Sequence, residues 1–109
     1  MHMQHDAERP KRVDGDSPEP SILQEAHSLI NGDREKDYGH PRENYTRVAL
    51  LWNAHLRGRG FDVDLSPDDC VWMMMQVKQA RHMAGYKRDT VVDAAGYIGL
   101  VDRLREGDQ

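Results

Sequence analysis

SPDDCVWMMMQVKQARHMAG, residues 66–85, is the stretch that decides the fold. Ser66 is a helix-capping residue, Pro67 suits the first helical position, and Asp68 and Asp69 put negative charge at the positive end of the helix dipole. Cys70, Met73, Met74, Val77, Ala80 and Ala84 then recur at helical spacing, with Val71 and Met75 widening the stripe. The pattern predicts a helix reaching Ala84, with Gly85 as its stop signal. So broad an apolar face needs cover on more than one side. Its run from Cys70 to Met75 is also the longest unbroken apolar stretch, far short of the roughly 20 residues that span a bilayer.

The flanks of this stretch read as helices too. Downstream, Asp89 is placed to cap a helix from about 90 to 105, with Val91, Val92, Ala95, Ile98, Val101 and Leu104 as its inward face. Gly96 and Gly99 lower its helix propensity and permit close contact with a neighbour. Upstream, Phe61 to Leu65 alternates apolar and acidic residues but has no second strand to pair with, so it reads as a loop whose Phe61, Val63 and Leu65 plug the core. Pro41 opens a helix with Tyr45, Val48, Ala49, Trp52 and Leu56 on one face, ended by Arg57 to Gly60. Ser21 and Gln24 form a capping-box signature for a further helix over 22–31, after which Arg34 to Lys36 makes at most a short turn.

Residues 1–20 carry Pro10, Pro18, Pro20 and Gly15 with few apolar groups, and are expected to form a disordered arm. The domain is therefore placed at 21–106, with 107–109 as a C-terminal end. The fold class expected is all-α, a compact four-helix bundle. So small a bundle gains from a second subunit over its apolar faces, which predicts a homo-oligomer, dimer or tetramer.

Composition narrows the partners. The 109 residues include 15 Lys and Arg against 19 Asp and Glu, a net charge of −4, which argues against a general DNA binder working by counterion release. The first 20 residues account for half of that charge, leaving the helical part close to neutral. Cys70 is the one cysteine, so no internal disulfide forms and a cytoplasmic setting is expected. No apolar N-terminal segment suggests export or a membrane role.

Three constellations could carry chemistry. Arg34 to Asn44 is dense in charge and hydrogen-bond donors between two helices, and reads either as a site-bearing connection or as a solvated turn. Lys78 and Arg81 stand three apart, suited to phosphate oxygens or to a solvated face. Asp68 and Asp69, with Asp89 and Asp93, form two acidic groups at successive helix starts; capping explains the first three without a metal. Asp93 lies among Val92, Ala94 and Ala95, so its carboxylate needs a partner: Lys78, Arg81 or a cation. Trp52 and Trp72 read as core or interface residues that could also stack a base.

The order of these motifs, REKDYG at 34–39, Asn44, Trp52, KQAR at 78–81 and DTVVDAAGY at 89–97, resembles a family of small actinobacteriophage and prophage proteins described as MazG-like, near the all-α nucleotide pyrophosphohydrolases. The resemblance covers roughly residues 22 to 104. It implies Mg²⁺-dependent cleavage of a nucleoside triphosphate to the monophosphate and pyrophosphate. On that reading Asp69, Asp89 and Asp93 hold Mg²⁺, Glu35 or Asp93 acts as general base, and Lys78 and Arg81 neutralise charge on the phosphates. Arg34, Lys36, Tyr38, Asn44, Trp52 and Tyr97 complete the expected substrate contacts, Tyr38 or Trp52 stacking the base and Asn44 reading its edge. Trp72 stands where the acidic motif of the wider pyrophosphohydrolase superfamily would have another acid. A phage nucleotide-binding protein without catalysis, and a helical interaction module, are the other classes in play.

Overall fold

A computed structural model describes residues 19–106, apart from the side chains of Asp33, Arg34 and Glu35. Its helices are α1 (Ile22–Asn31), α2 (Asp33–Tyr38), α3 (Pro41–Gly58), α4 (Pro67–Met83) and α5 (Arg88–Arg103), and no strand occurs among the described residues. The all-α, four-helix expectation holds, with the short α2 added where only a turn was expected. Most of the N-terminal arm and the last three residues lie outside the described part.

Capping sets the helix starts. Ser21 Oγ accepts from the Gln24 N–H at 3.1 Å, and Gln24 Oε1 accepts from the Ser21 N–H at 2.7 Å. Ser66 and Asp69 repeat the arrangement at α4, at 3.0 and 2.9 Å. Each pair satisfies two N–H groups that the helix itself leaves unpaired. Beyond Ala84, Gly85 turns the chain at a φ of 147°, a conformation that favours glycine.

The packing follows from which helices touch. Asp68, at the start of α4, binds Arg105 beyond the end of α5, while Lys78, late in α4, meets Asp93 early in α5. The two helices therefore run antiparallel. α1 lies along another side of α5, and α3 packs against α4. Gly96 and Gly99 make the α1 approach possible: a Cβ on Gly96 would meet Ile30 at 3.6 Å, and one on Gly99 would overlap Ile30 Cδ1. Arg88 bonds the Pro20 carbonyl and Glu25, and Arg103 bonds the Ile30 carbonyl, so α5 grips α1 at both ends. Tyr45, Ala49, Cys70, Val71, Tyr97, Leu100 and Leu104 form the core between the helices.

Two helix faces sit differently from the apolar pattern. On α4 the buried positions are Cys70, Val71 and Lys78, while Val77, Ala80 and Ala84 are exposed. On α5 they are Val92, Asp93, Gly96, Tyr97 and Leu100, while Ile98 is exposed. Pairing explains how Lys78 and Asp93 come to face inward, since they neutralise one another, while Ile98 faces outward because its neighbour Tyr97 takes the buried position. Asp89 does not cap α5: the helix starts two residues earlier than expected, at Arg88, Lys87 is the cap residue, and it makes no side-chain capping bond.

The loop before α4 is held by Asn53, not by three apolar plugs. Its buried amide donates to the Leu65 carbonyl at 3.0 Å and accepts from the Leu65 N–H at 2.7 Å. Leu65 packs on the core and Val63 is half-buried, but Phe61 is 56% exposed.

Candidate functional site

The helical register of α4 and α5 brings Lys78 and Asp93 face to face. Their Nζ and Oδ2 atoms are 2.8 Å apart, with Lys78 1% and Asp93 4% exposed. Of the partners open to Asp93, the lysine is the one observed. Asp93 Oδ1 is buried and has no hydrogen-bond partner among the described residues, which leaves a lone pair able to take a donor.

Beside this pair, α4 and α5 enclose a groove of about 460 Å³, within the span of small-ligand pockets. Trp72, Gln76, Gln79 and His82 line it from α4, spaced at helical repeats, and Thr90, Val91 and Ala94 line it from α5. Lys78 and Met75 lie at its floor. Trp72 keeps about half of its surface, at 49%, open to solvent. At the far end the rings of His82 and Tyr86 meet edge to face, 6.3 Å between centroids. An indole face, two amides, a hydroxyl and an imidazole around an apolar wall can hold a planar heterocycle and bond its edge.

The other expected contacts are dispersed. Tyr38 and Asn44 do come together, with Ile30 and Leu100, but around a cleft of about 20 Å³, room for one water. Trp52 packs on the core while remaining partly exposed, and Tyr97 is buried within the core. Lys36 and Arg81 are exposed on α2 and α4, and the side chains of Arg34 and Glu35 are outside the described residues. Lys78 and Arg81 therefore do not act as one cationic pair, because the first points into the interior.

The acids expected to hold Mg²⁺ are not gathered in the described conformation. No three His, Cys, Asp or Glu side chains cluster for a metal among the described residues. Asp69 bonds the Ser66 N–H at the start of α4, and nine residues of helix, about 13 Å at 1.5 Å each, separate it from the Lys78 that Asp93 meets. Asp89 and Asp93 lie one turn apart on α5, and Lys78 already occupies Oδ2 of the second. The residues present do not fit the cation as a set.

Sequence reasoning missed Gln76, Gln79, His82, Thr90 and Val91. The available signal was Trp72, Gln76 and Gln79 at i, i+4 and i+7, an aromatic and two amides on one helix side.

Residues 21–105 match a family described as a domain of unknown function, DUF6378. The chain is 46% identical over 86 residues to a Gene 55 protein of Mycobacterium phage L5, covering 78% of this chain and 53% of that protein. It is 45% identical over 87 residues to a Gene 55 protein of Mycobacterium phage D29, covering 79% and 54%. The chain thus spans about half the length of these curated relatives. No solved structure matches it. Both relatives are phage proteins, in keeping with the phage motifs quoted above, and the matched family carries no MazG description.

Proposed function

The chain belongs to the DUF6378 family, and from that premise we propose that it is a phage nucleotide-binding protein on a MazG-like helical scaffold, holding its ligand in the α4–α5 groove. The observation that carries the proposal is the groove itself, about 460 Å³ with Trp72 at its rim and Gln76 and Gln79 along one wall. Such a site matches what a base offers, a flat π-face and an edge of donors and acceptors. The host cytoplasm is the setting this function implies, and no helix among the described residues is long and apolar enough to cross a membrane. Self-association is part of the proposal, supported by Leu50 and Leu51 of α3, which are 70% and 67% exposed.

A second reading is Mg²⁺-dependent hydrolysis to the monophosphate and pyrophosphate. Asp93 Oδ1 favours it, as a buried carboxylate oxygen without a partner among the described residues. The separation of Asp69 from Asp93 weighs against it, so binding without turnover ranks first.

Incubation with a panel of nucleoside triphosphates, with and without Mg²⁺, separates the two readings. Calorimetry follows binding and an assay for pyrophosphate follows turnover. Binding heat without pyrophosphate is the expected result. Pyrophosphate release that Asp93→Asn abolishes establishes the hydrolase reading instead, and absence of both signals sinks the nucleotide proposal.

A further inference from the structure

The charge around the groove bears on which part of a ligand it can hold. Among the described residues, Lys78 supplies the lining's one lysine or arginine side chain. Its ammonium is paired with Asp93 at 2.8 Å and its whole side chain is only 2% exposed, so its charge is already neutralised inside the fold. The remaining polar groups there are Gln76, Gln79, Thr90 and His82. Arg81 stands two residues from Gln79, about 200° further round the helix, and does not line the groove. Phosphate sites take paired cations or backbone N–H groups, and the side chains lining this groove offer no second lysine or arginine beside Lys78.

Building on the nucleotide reading, we infer that the α4–α5 groove recognises the uncharged nucleoside part of the ligand, base stacked on Trp72 and edge bonded by Gln76 and Gln79, and leaves the phosphates in solvent. Each glutamine amide offers two donors and an acceptor, which suits a base edge carrying both kinds of group. Recognition of this kind is insensitive to salt, because no counterions are exchanged.

The test is calorimetric titration of the full chain with the four ribonucleosides, their monophosphates and their triphosphates, at low and high salt. For the preferred base, nucleoside and triphosphate affinities are expected to agree within about threefold and to change little with salt. Trp72→Ala and Gln79→Ala are expected to lower nucleoside affinity by about tenfold or more, since a stacked base contributes on the order of 1–3 kcal/mol, and Trp72→Phe to restore part of it. Far-ultraviolet circular dichroism confirms that each variant remains folded.

A triphosphate bound more than about tenfold tighter than its nucleoside, with a steep loss in salt, overturns this inference while leaving nucleotide binding in place. No binding by any compound overturns both. Sedimentation showing that Trp72→Glu dissociates a dimer, with no nucleoside bound by the parent chain, gives the groove to a second copy and also overturns the inference.

Discussion

The two ends of the α4–α5 pair are built from the same helices and differ in chemistry. Where α4 begins and α5 ends, Cys70, Val71, Leu100 and Leu104 make an apolar interior, and charges such as Asp68 and Arg105 meet outside it. Where α4 ends and α5 begins, the interior is Lys78 against Asp93, and the groove opens beside them. The apolar end stabilises by removing surface from water. The polar end cannot, because desolvating two charges offsets most of their attraction. An arrangement of that kind ties the two helices to one register without adding much stability, and it leaves the space alongside able to take another molecule.

The sharpest way to break the contrast is to unpair the buried ions. Asp93→Ala leaves the Lys78 ammonium buried alone and is expected to cost about 3–5 kcal/mol in urea unfolding. Lys78→Met with Asp93→Leu is expected to be neutral or stabilising; a double variant as unstable as the single one would show that the pair itself contributes net stability. At the apolar end, Leu100→Ala is expected to cost about 2–4 kcal/mol by leaving a cavity beside Val71 and Tyr97. It should leave ligand binding in the groove unchanged, a difference that calorimetry reads. Ser66→Ala removes the capping box of α4 and is expected to cost about 1 kcal/mol by the same urea measurement.

The smallest effect is expected at Glu106, just beyond α5. Hydrogen bonds from His40 and Arg103 hold its carboxyl below the ordinary value. His40 Nδ1 accepts from the Arg42 N–H at 3.0 Å, so its proton sits on Nε2 and donates to Glu106 at 2.8 Å. A lowered carboxyl stabilises the fold above its unfolded pKa, and that contribution is lost as pH falls through the folded one. Glu106→Gln is therefore expected to lower stability slightly near neutral pH and hardly at all in strong acid, which flattens the acid limb of a stability-against-pH curve. An unaltered acid limb would remove Glu106 from the account.

The same contrast explains how much the sequence discloses. Helix starts were legible because Ser21, Gln24, Ser66 and Pro67 act locally, through bonds within one turn. Apolar faces were legible at Cys70, Val71, Val92 and Leu104, where burial follows hydropathy. They misled at Val77, where Lys78 takes the inward position because a charge on the opposite helix neutralises it, and no single-helix periodicity carries that information. Asp93 was noticed as a charge among apolar neighbours, with Lys78 among its possible partners. The groove was not, because its walls belong to two helices and glutamines have no characteristic ligand spacing.

The arginine grip on α1 has a kinetic consequence. At ten residues, α1 falls below the length of about 12–15 at which helices persist in water by themselves, so its lifetime is that of its attachment to α5. Arg88 and Arg103 hold it at opposite ends while Ile30 seats against Gly96 and Gly99. Release at one end leaves the other fastened, and deuterium is expected to reach the amides of Ala26 and Leu100 through the same opening event. Pro20 is thus tied to α5 and is not a fraying end.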